Sequence, residues 1–403
     1  MKITDVKTYL LKIPIPKPYF RSAWIPGLTE KHVSYTLVQV DSDEGLKGYS
    51  SVLSFGILGT KKFIDRRVKP LLPQKIEDVN DIEEFVRTCR KRLIPHKNIG
   101  RVAFRKHVFL PHIAKAIHLL RFFEPRLWCV EVALWDLIGK AKEKPVCELL
   151  GKRQEKVKAY ISTGETISER KHIEDAIRYK EQGIKAIKLR AHHRNTKEDL
   201  KAIEKVREVV GDDIEIMVDA NQSSTPLPPF WSRRKAFGFA RELERLKCLW
   251  LEEPLPIHDL YGIRELQEKA EILIAGGELD QGFERFGQLL DCYDIIQPDV
   301  HFSGGIGEVK RIGEMAEQRG KMLIPHCWGS GLSLAANLQM IGSLSNCPYV
   351  EFPCDPPFTP DIRDAILAET IEVGKDGHVL IPQKPGLGVE VNEEAISRFA
   401  TET

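Results

Sequence analysis

The sequence predicts an α/β fold, a barrel of the TIM type following a small α+β unit, and three observations carry that expectation. From residue 157 onward, eight short apolar runs alternate with amphipathic segments of helical period: 157–163, 186–190, 214–220, 248–254, 272–278, 293–300, 321–327 and 349–354. Strands alternating with helices build a parallel sheet buried on both faces, and eight is the number of strands that closes a barrel. The last seven runs each end in a polar residue, and a barrel would gather those ends on one face. A doubly wound open sheet is the competing arrangement, and the absence of a GxGxxG after the first of these strands counts against it.

Before residue 157 the pattern is different. Residues 2–13 alternate as a strand, and YTLVQV (35–40), DSDEG and LKGYS read as a hairpin. The Pro- and aromatic-rich stretch 16–27 between them is a loop, and helical patterns follow at 60–72, 79–92 and 127–142. Further on, Thr196 with Asp199 resembles a capping box, and Gly211 stands where that helix should stop.

Bulk properties exclude several classes. A chain of 403 residues with 42% hydrophobic and 29% charged residues can bury a large core, as two domains or a barrel with additions. With 60 basic against 58 acidic residues the net charge is +2, which favours neither nucleic acid nor an anionic membrane as partner. Residues 97–126 are locally basic (Lys97, Arg101, Arg105, Lys106, Lys115, Arg121, Arg126) and read as a solvated face, with a patch for an acidic partner as the alternative. The start lacks a signal-peptide pattern, and no apolar run approaches the ~18 residues of a membrane span. Eight scattered cysteines without a CxxC pair point to reduced thiols in a cytoplasmic protein.

The strand ends carry the chemistry. Lys188 and Arg190 end the second run, Asp219 and Asn221 the third, Glu252 the fourth, Glu278 the fifth, Asp299 the sixth, His326 the seventh and Glu351 the eighth. Asp219, Glu252 and Glu278 come from adjacent strands, and three carboxylates at close range cannot all stay ionised without a cation between them. An all-oxygen set suits a hard ion, and one Mg²⁺ per chain is the expectation. In WLEEPLP (250–256), Glu252 then faces the metal, and Glu253 supports it from behind or starts a helix.

The motifs IKLR, VDANQ, WLEEPLP, AGGE, QPDVHFSGGI and IPHCWGSG, in this order, resemble the mandelate racemase subgroup of the enolase superfamily. VALWDLIGKAKEKPVCELLG (132–151) is similar to that family's junction between cap and barrel, and PGLGVEVNEEAI (385–396) to its C-terminus. The resemblance implies a (β/α)7β barrel over residues 129–369, a capping domain over 1–128, and a tail, 370–403, that returns to the cap. It implies Mg²⁺ on Asp219, Glu252 and Glu278, and removal of the proton α to a carboxylate to give an enediolate. It also implies an Asp299–His326 dyad, Lys188 as the second acid/base on the opposite face, and Glu351 as a protonated donor to the substrate carboxylate. Tyr19, Phe20, Arg21 and Trp24 stand where the specificity loop would fold over the barrel mouth. A homo-oligomer is the family expectation.

Arg190 departs from the commoner Lys-x-Lys form. Arginine is a poor base and a good carboxylate clamp, so it is expected to grip substrate and depress the pKa of Lys188. His192 and His193 follow on the same loop and could contact a polyhydroxylated substrate. SGGIG (303–307) reads as an ordinary turn with a phosphate cradle as alternative, and 223–231 as a Pro-rich insert or pocket wall. The resemblance implies dehydration of an acid sugar to a 2-keto-3-deoxy acid, with racemisation or epimerisation as the alternative. Cycloisomerisation, a catalytically silent metal-binding scaffold and a phosphate-binding aldolase-like barrel are less favoured.

Overall fold

The computed structural model describes residues 1–17, 20, 21, 29–53, 59–93, 128–165, 167–193, 195–223 and 230–401. The N-terminal sheet has three antiparallel strands, β1 (Ile3–Pro14), β2 (His32–Ser42) and β3 (Lys47–Leu53), in that order. Leu11 pairs with Tyr35 and Tyr35 with Leu53, and adjacent residues such as Leu37 and Val38 are both buried, so the sheet is covered on both faces. The short pair Phe20–Arg21 and Thr29–Glu30 flanks this sheet, with Phe20 buried in the core. Residues 59–71 form three short pieces rather than one helix: an α turn, a π turn at Ile64–Val68 and a 3-10 turn.

Two helices join this cap to the rest: α1 (Val79–Leu93) and α2 (Trp128–Ala141). The α2 helix is buried from Trp128 through Gly139. Such a helix must satisfy its polar groups internally, and it does. Asp136 accepts the backbone N–H groups of Tyr49 and Leu387, both at 2.8 Å, and Lys140 Nζ at 2.6 Å.

The barrel strands are β4 (Lys156–Ser162), β5 (Ala186–Arg190), β6 (Glu215–Asp219), β7 (Trp250–Glu252), β8 (Leu273–Gly276), β9 (Ile295–Ile296), β10 (Met322–Leu323) and β11 (Tyr349–Pro353). All are parallel, in the order β10-β9-β8-β7-β6-β5-β4-β11. Seven helices alternate with them: α3 (Glu169–Glu181), α4 (Thr196–Val210), α5 (Arg233–Arg245), α6 (Leu260–Lys269), α7 (Phe283–Leu289), α8 (Ile306–Gln318) and α9 (Gly331–Ile341). This is a (β/α)7β barrel. Side chains cap the helix starts: Ser168, Ser232, Asp259 and Ser330 each accept an N–H of the first turn. For α4 the cap is Asn195, not Thr196, because Asp199 turns back to the N–H and Nδ1 of His193 at 3.2 and 2.7 Å.

The ends of the hydrogen-bonded path, β10 and β11, meet across the seam through a side chain: Cys327 N donates to Glu351 Oε2 at 2.7 Å. Inside the barrel, Tyr160, Ala186, Met217, Trp250, Ala275, Ile295 and Ile324 form an apolar layer supplied by six of the strands and the residue just past β10. Tyr160 and Trp250 meet edge to face at 5.2 Å. The tail first adds β12 (His378–Leu380) antiparallel to β4, a pairing the sequence pattern did not suggest. It then reaches the cap, where α10 (Glu393–Phe399) leads to a bridge between Ala400 and Leu11. All eight cysteines are free. Among the described residues no helix is long and apolar enough to cross a membrane.

Candidate active site

The polar strand ends converge above the Tyr160–Trp250 layer. Carboxylate oxygens of Asp219, Glu252 and Glu278 all lie within 4.8 Å of one another, and all three residues are buried. The backbone around them is unusual. Asn221 (φ 43°) and Glu253 (φ 44°) are left-handed just beyond β6 and β7, and Gly277 (φ 108°) redirects the chain so that Glu278 joins from past the end of β8. Non-glycine residues in this region cost free energy and recur at functional sites.

The acids are not left to repel one another. Lys188 Nζ lies 2.7 Å from Glu252 Oε1, 2.8 Å from Glu351 Oε1 and 3.9 Å from Asp219 Oδ2, and 5.3 Å above the Tyr160 ring. Burial pulls the Lys188 pKa down, but Glu252 and Glu351 outweigh it, and the ammonium is stabilised overall. Arg190 lowers the Lys188 pKa as expected, but the expected net depression is overturned, because Glu252 and Glu351 outweigh it. Its guanidinium is engaged with the protein, pairing with Asp219 and donating to Thr163 O at 2.6 Å, Asn221 Oδ1 at 3.0 Å and Ser162 Oγ at 3.1 Å. It also lies 5.4 Å from the Trp328 ring centroid. Within the protein it clamps a site acid.

Burial raises the Glu278 pKa well above the ordinary range, and the neighbouring Glu253, Asp219 and Glu252 charges add to it. Glu253 thus backs the acidic group. It starts no helix, since α6 begins at Leu260. A clustered, buried, all-oxygen set of carboxylates, with burial opposing ionisation of Glu252 and Glu278, fits a divalent hard cation.

Across the mouth, His326 Nδ1 is 3.0 Å from Asp299 Oδ2. Burial opposes the imidazolium, but Glu278, Asp299 and Glu351 raise the His326 pKa to about 9. Asp299 is held well below the carboxylate range: burial opposes this, and hydrogen bonds from His301 and His326 prevail. Glu351 corrects another expectation. Burial would favour its protonated form, yet Lys188, His326 and Arg190 hold its carboxyl low, and Oε2 already accepts from Cys327. It is an ionised acceptor, not a protonated donor.

His192 is driven to about 3 by burial and by Arg190, so its ring is neutral beside Asn221. His193 belongs to the start of α4 through Asp199. The SGGIG turn holds no phosphate cradle: Glu131 of α2 accepts the N–H groups of Ile306 at 2.9 Å and Gly307 at 3.1 Å, filling the anion position at the start of α8. Tyr19, Trp24, the 97–126 basic run and most of 223–231 lie outside the described residues, as does the side chain of Arg21. Sequence reasoning missed Ser162, Thr163 and Trp328, which hold Arg190, and Glu131. An acid inside the apolar run of α2 was the one available signal for Glu131.

Comparison with known proteins agrees with this geometry. Residues 23–151 match the mandelate racemase / muconate lactonizing enzyme N-terminal domain, and 171–395 the enolase C-terminal domain-like family. An arabinonate dehydratase of Saccharolobus solfataricus is 31% identical over 98% of this chain and 99% of its own. A D-galactarolactone cycloisomerase of Agrobacterium fabrum is 32% identical over 67% of this chain and 72% of its own. The crystal structure of the 3,6-anhydro-D-galactonate cycloisomerase from Zobellia galactanivorans superposes with a TM-score of 0.78 at 27% identity, covering 100% of both chains. The chain belongs to the mandelate racemase / muconate lactonizing enzyme family of the enolase superfamily.

Proposed function

We propose that this protein is a Mg²⁺-dependent acid-sugar dehydratase. It removes the proton α to a carboxylate and the hydroxyl β to it, and the resulting enol becomes a 2-keto-3-deoxy acid with net loss of water. The observation that carries this reading is the ring of strand ends: Lys188 on one side and His326 with Asp299 on the other, with Asp219, Glu252 and Glu278 on the strands between. Asp219, Glu252 and Glu278 would hold the cation, which supplies positive charge that acidifies the α-proton of a bound carboxylate.

The chain's own groups divide the rest. His326, charged at neutral pH with its Nδ1 pinned by Asp299, is suited to protonate the departing hydroxyl. Lys188 acts as base once Glu252 is engaged elsewhere, because that carboxylate is the strongest influence raising its pKa. Arg190 pairs with Asp219 and aims it, and neutral His192 offers a hydroxyl partner. Racemisation or epimerisation is the second reading, favoured by two proton-transfer groups separated by the acidic cluster. The cycloisomerases among the relatives place lactones and anhydro acids in the test set, against the sequence expectation.

The test is a screen of arabinonate and other mono- and diacid sugars, lactones and anhydro acids with Mg²⁺, scored for 2-keto acids. EDTA and His326→Asn serve as controls. A keto product lost in both controls is the expected result. A product that survives either control, or none from any acid sugar, overturns the dehydratase reading.

A further inference from the structure

His301 is 1% exposed, two residues past Asp299, and the chemistry above gives it no task. Its ring bridges cap and barrel. Nε2 lies 3.1 Å from Ser50 Oγ on β3, and Nδ1 lies 3.5 Å from Asp299 Oδ1. Asp299 is thus flanked by two imidazoles, with His326 Nδ1 at 3.0 Å from Oδ2 and the His301 backbone N–H at 2.9 Å from Oδ1. The arrangement selects a tautomer. Nδ1 makes no hydrogen bond at this 3.5 Å separation, but with a carboxylate oxygen as neighbour a proton on Nδ1 is favoured over a bare lone pair, and Nε2 is then left to accept from the Ser50 hydroxyl.

Ser50 is held in place from both sides. Tyr49 N donates to Asp136 Oδ2 at 2.8 Å. Ser51 Oγ meets Ser330 Oγ at 2.5 Å, and Ser333 Oγ donates to Ser51 O at 2.9 Å. Gly48 lies so close to Ala133 of α2 that a Cβ there would overlap its carbonyl oxygen. The same cap strand therefore touches Asp299 through His301, and through Ser330 the segment that follows His326.

We propose that His301 is a positioning residue tying the cap to the acid–base pair: Ser50 fixes its tautomer, it fixes the Asp299 carboxylate, and the carboxylate aims His326. Seating of β3 and competence of His326 are then one event. The role in turnover rests on the dehydratase reading; the bridge itself does not.

The test uses full-length protein labelled with ¹⁵N-histidine, with resonances assigned through His301→Asn and His326→Asn. His301 should carry its proton on Nδ1, and Ser50→Ala should move both the His301 Nε2 and His326 Nδ1–H resonances. Ser50→Thr, which keeps the hydroxyl, should restore them. With an acid sugar converted in the screen, Ser50→Ala should lower kcat on the order of 10–100-fold, the range seen for outer partners of ligating histidines. KM and Mn²⁺ affinity should stay within about twofold of the wild type, as a role confined to the acid–base pair requires. A proton on His301 Nε2, a His326 resonance indifferent to Ser50→Ala, or an unchanged kcat overturns the proposal. If the wild type converts no acid sugar, the functional reading fails and the spectra still decide the bridge.

Discussion

Arg190 and His326 show how much of the site depends on which neighbour a charge finds. Arg190→Lys keeps the charge but leaves Thr163 O, Ser162 and Asn221 short of donors. The expected cost is about 2–4 kcal/mol of stability, read as a lower thermal midpoint together with weakened metal binding at Asp219. His326 gives a pH prediction. Its pKa is raised to about 9 from 6.5, so the stabilisation of the imidazolium is fully present below about pH 6.5 and is lost as pH rises through 9. Turnover that uses the imidazolium as acid falls as pH rises through the His326 pKa of the Mg²⁺-loaded protein, which lies below this metal-free value. An NMR titration of the metal-free protein should find this raised value, and Mg²⁺ should lower it by engaging Glu278. A His326 pKa at or below 6.5 in the metal-free protein would contradict the electrostatics. The identities of these residues were legible, because a polar residue closing a buried strand is costly unless it is used. Their pairings were not. Lys188 and Arg190 share one strand face two residues apart, and nothing local says that one takes Glu252 and Glu351 while the other takes Asp219.

At the scale of elements, the docking of α2 against α8 is the feature that most needs its sequence. Glu131 fills the N-terminal position of α8, and a Cβ on Gly305 (φ 95°) would lie 2.5 Å from the Glu131 carboxyl carbon. Gly305→Ala should cost about 2–4 kcal/mol through backbone strain and overpacking, and Glu131→Gln about 1–3 kcal/mol through weakened charge-assisted hydrogen bonds. Both should lower the thermal midpoint while leaving Mn²⁺ binding at the acidic cluster intact. Loss of metal binding in Glu131→Gln would mean the two are coupled. All eight barrel strands could be read from their apolar runs, but their lengths could not. The 293–300 and 321–327 runs contribute only two ladder residues each, since register with the neighbours decides where pairing stops. The α4 cap fell one residue early, on Asn195, because Asp199 had a better partner in His193 than in its own helix end.

At the scale of the whole molecule, cap, barrel and cation are expected to act together. Cation binding at the Asp219–Glu252–Glu278 cluster would stabilise the native state by about 2.7 kcal/mol at a metal concentration 100 times Kd, so Mg²⁺ should raise the thermal midpoint and Asp219→Asn should abolish the rise. A midpoint indifferent to Mg²⁺ would remove the cation from the account. The two-part architecture was visible in the change of pattern near residue 157. The double use of the tail was not, because β12 joins β4 and Ala400 meets Leu11 through contacts far apart in sequence. The most direct test of the central claim is deuterium uptake from D₂O by an acid sugar with Mg²⁺, followed by NMR at the α-carbon of the recovered acid and at C3 of the keto product. In the product the former α-carbon becomes the carbonyl, and the enol takes up its solvent deuteron at C3. Incorporation by the wild type, at the α-carbon of recovered substrate or at C3 of the keto product, that disappears with EDTA and in Glu252→Gln is the predicted result. Incorporation that persists without the cation, or none with any acid sugar, would contradict it.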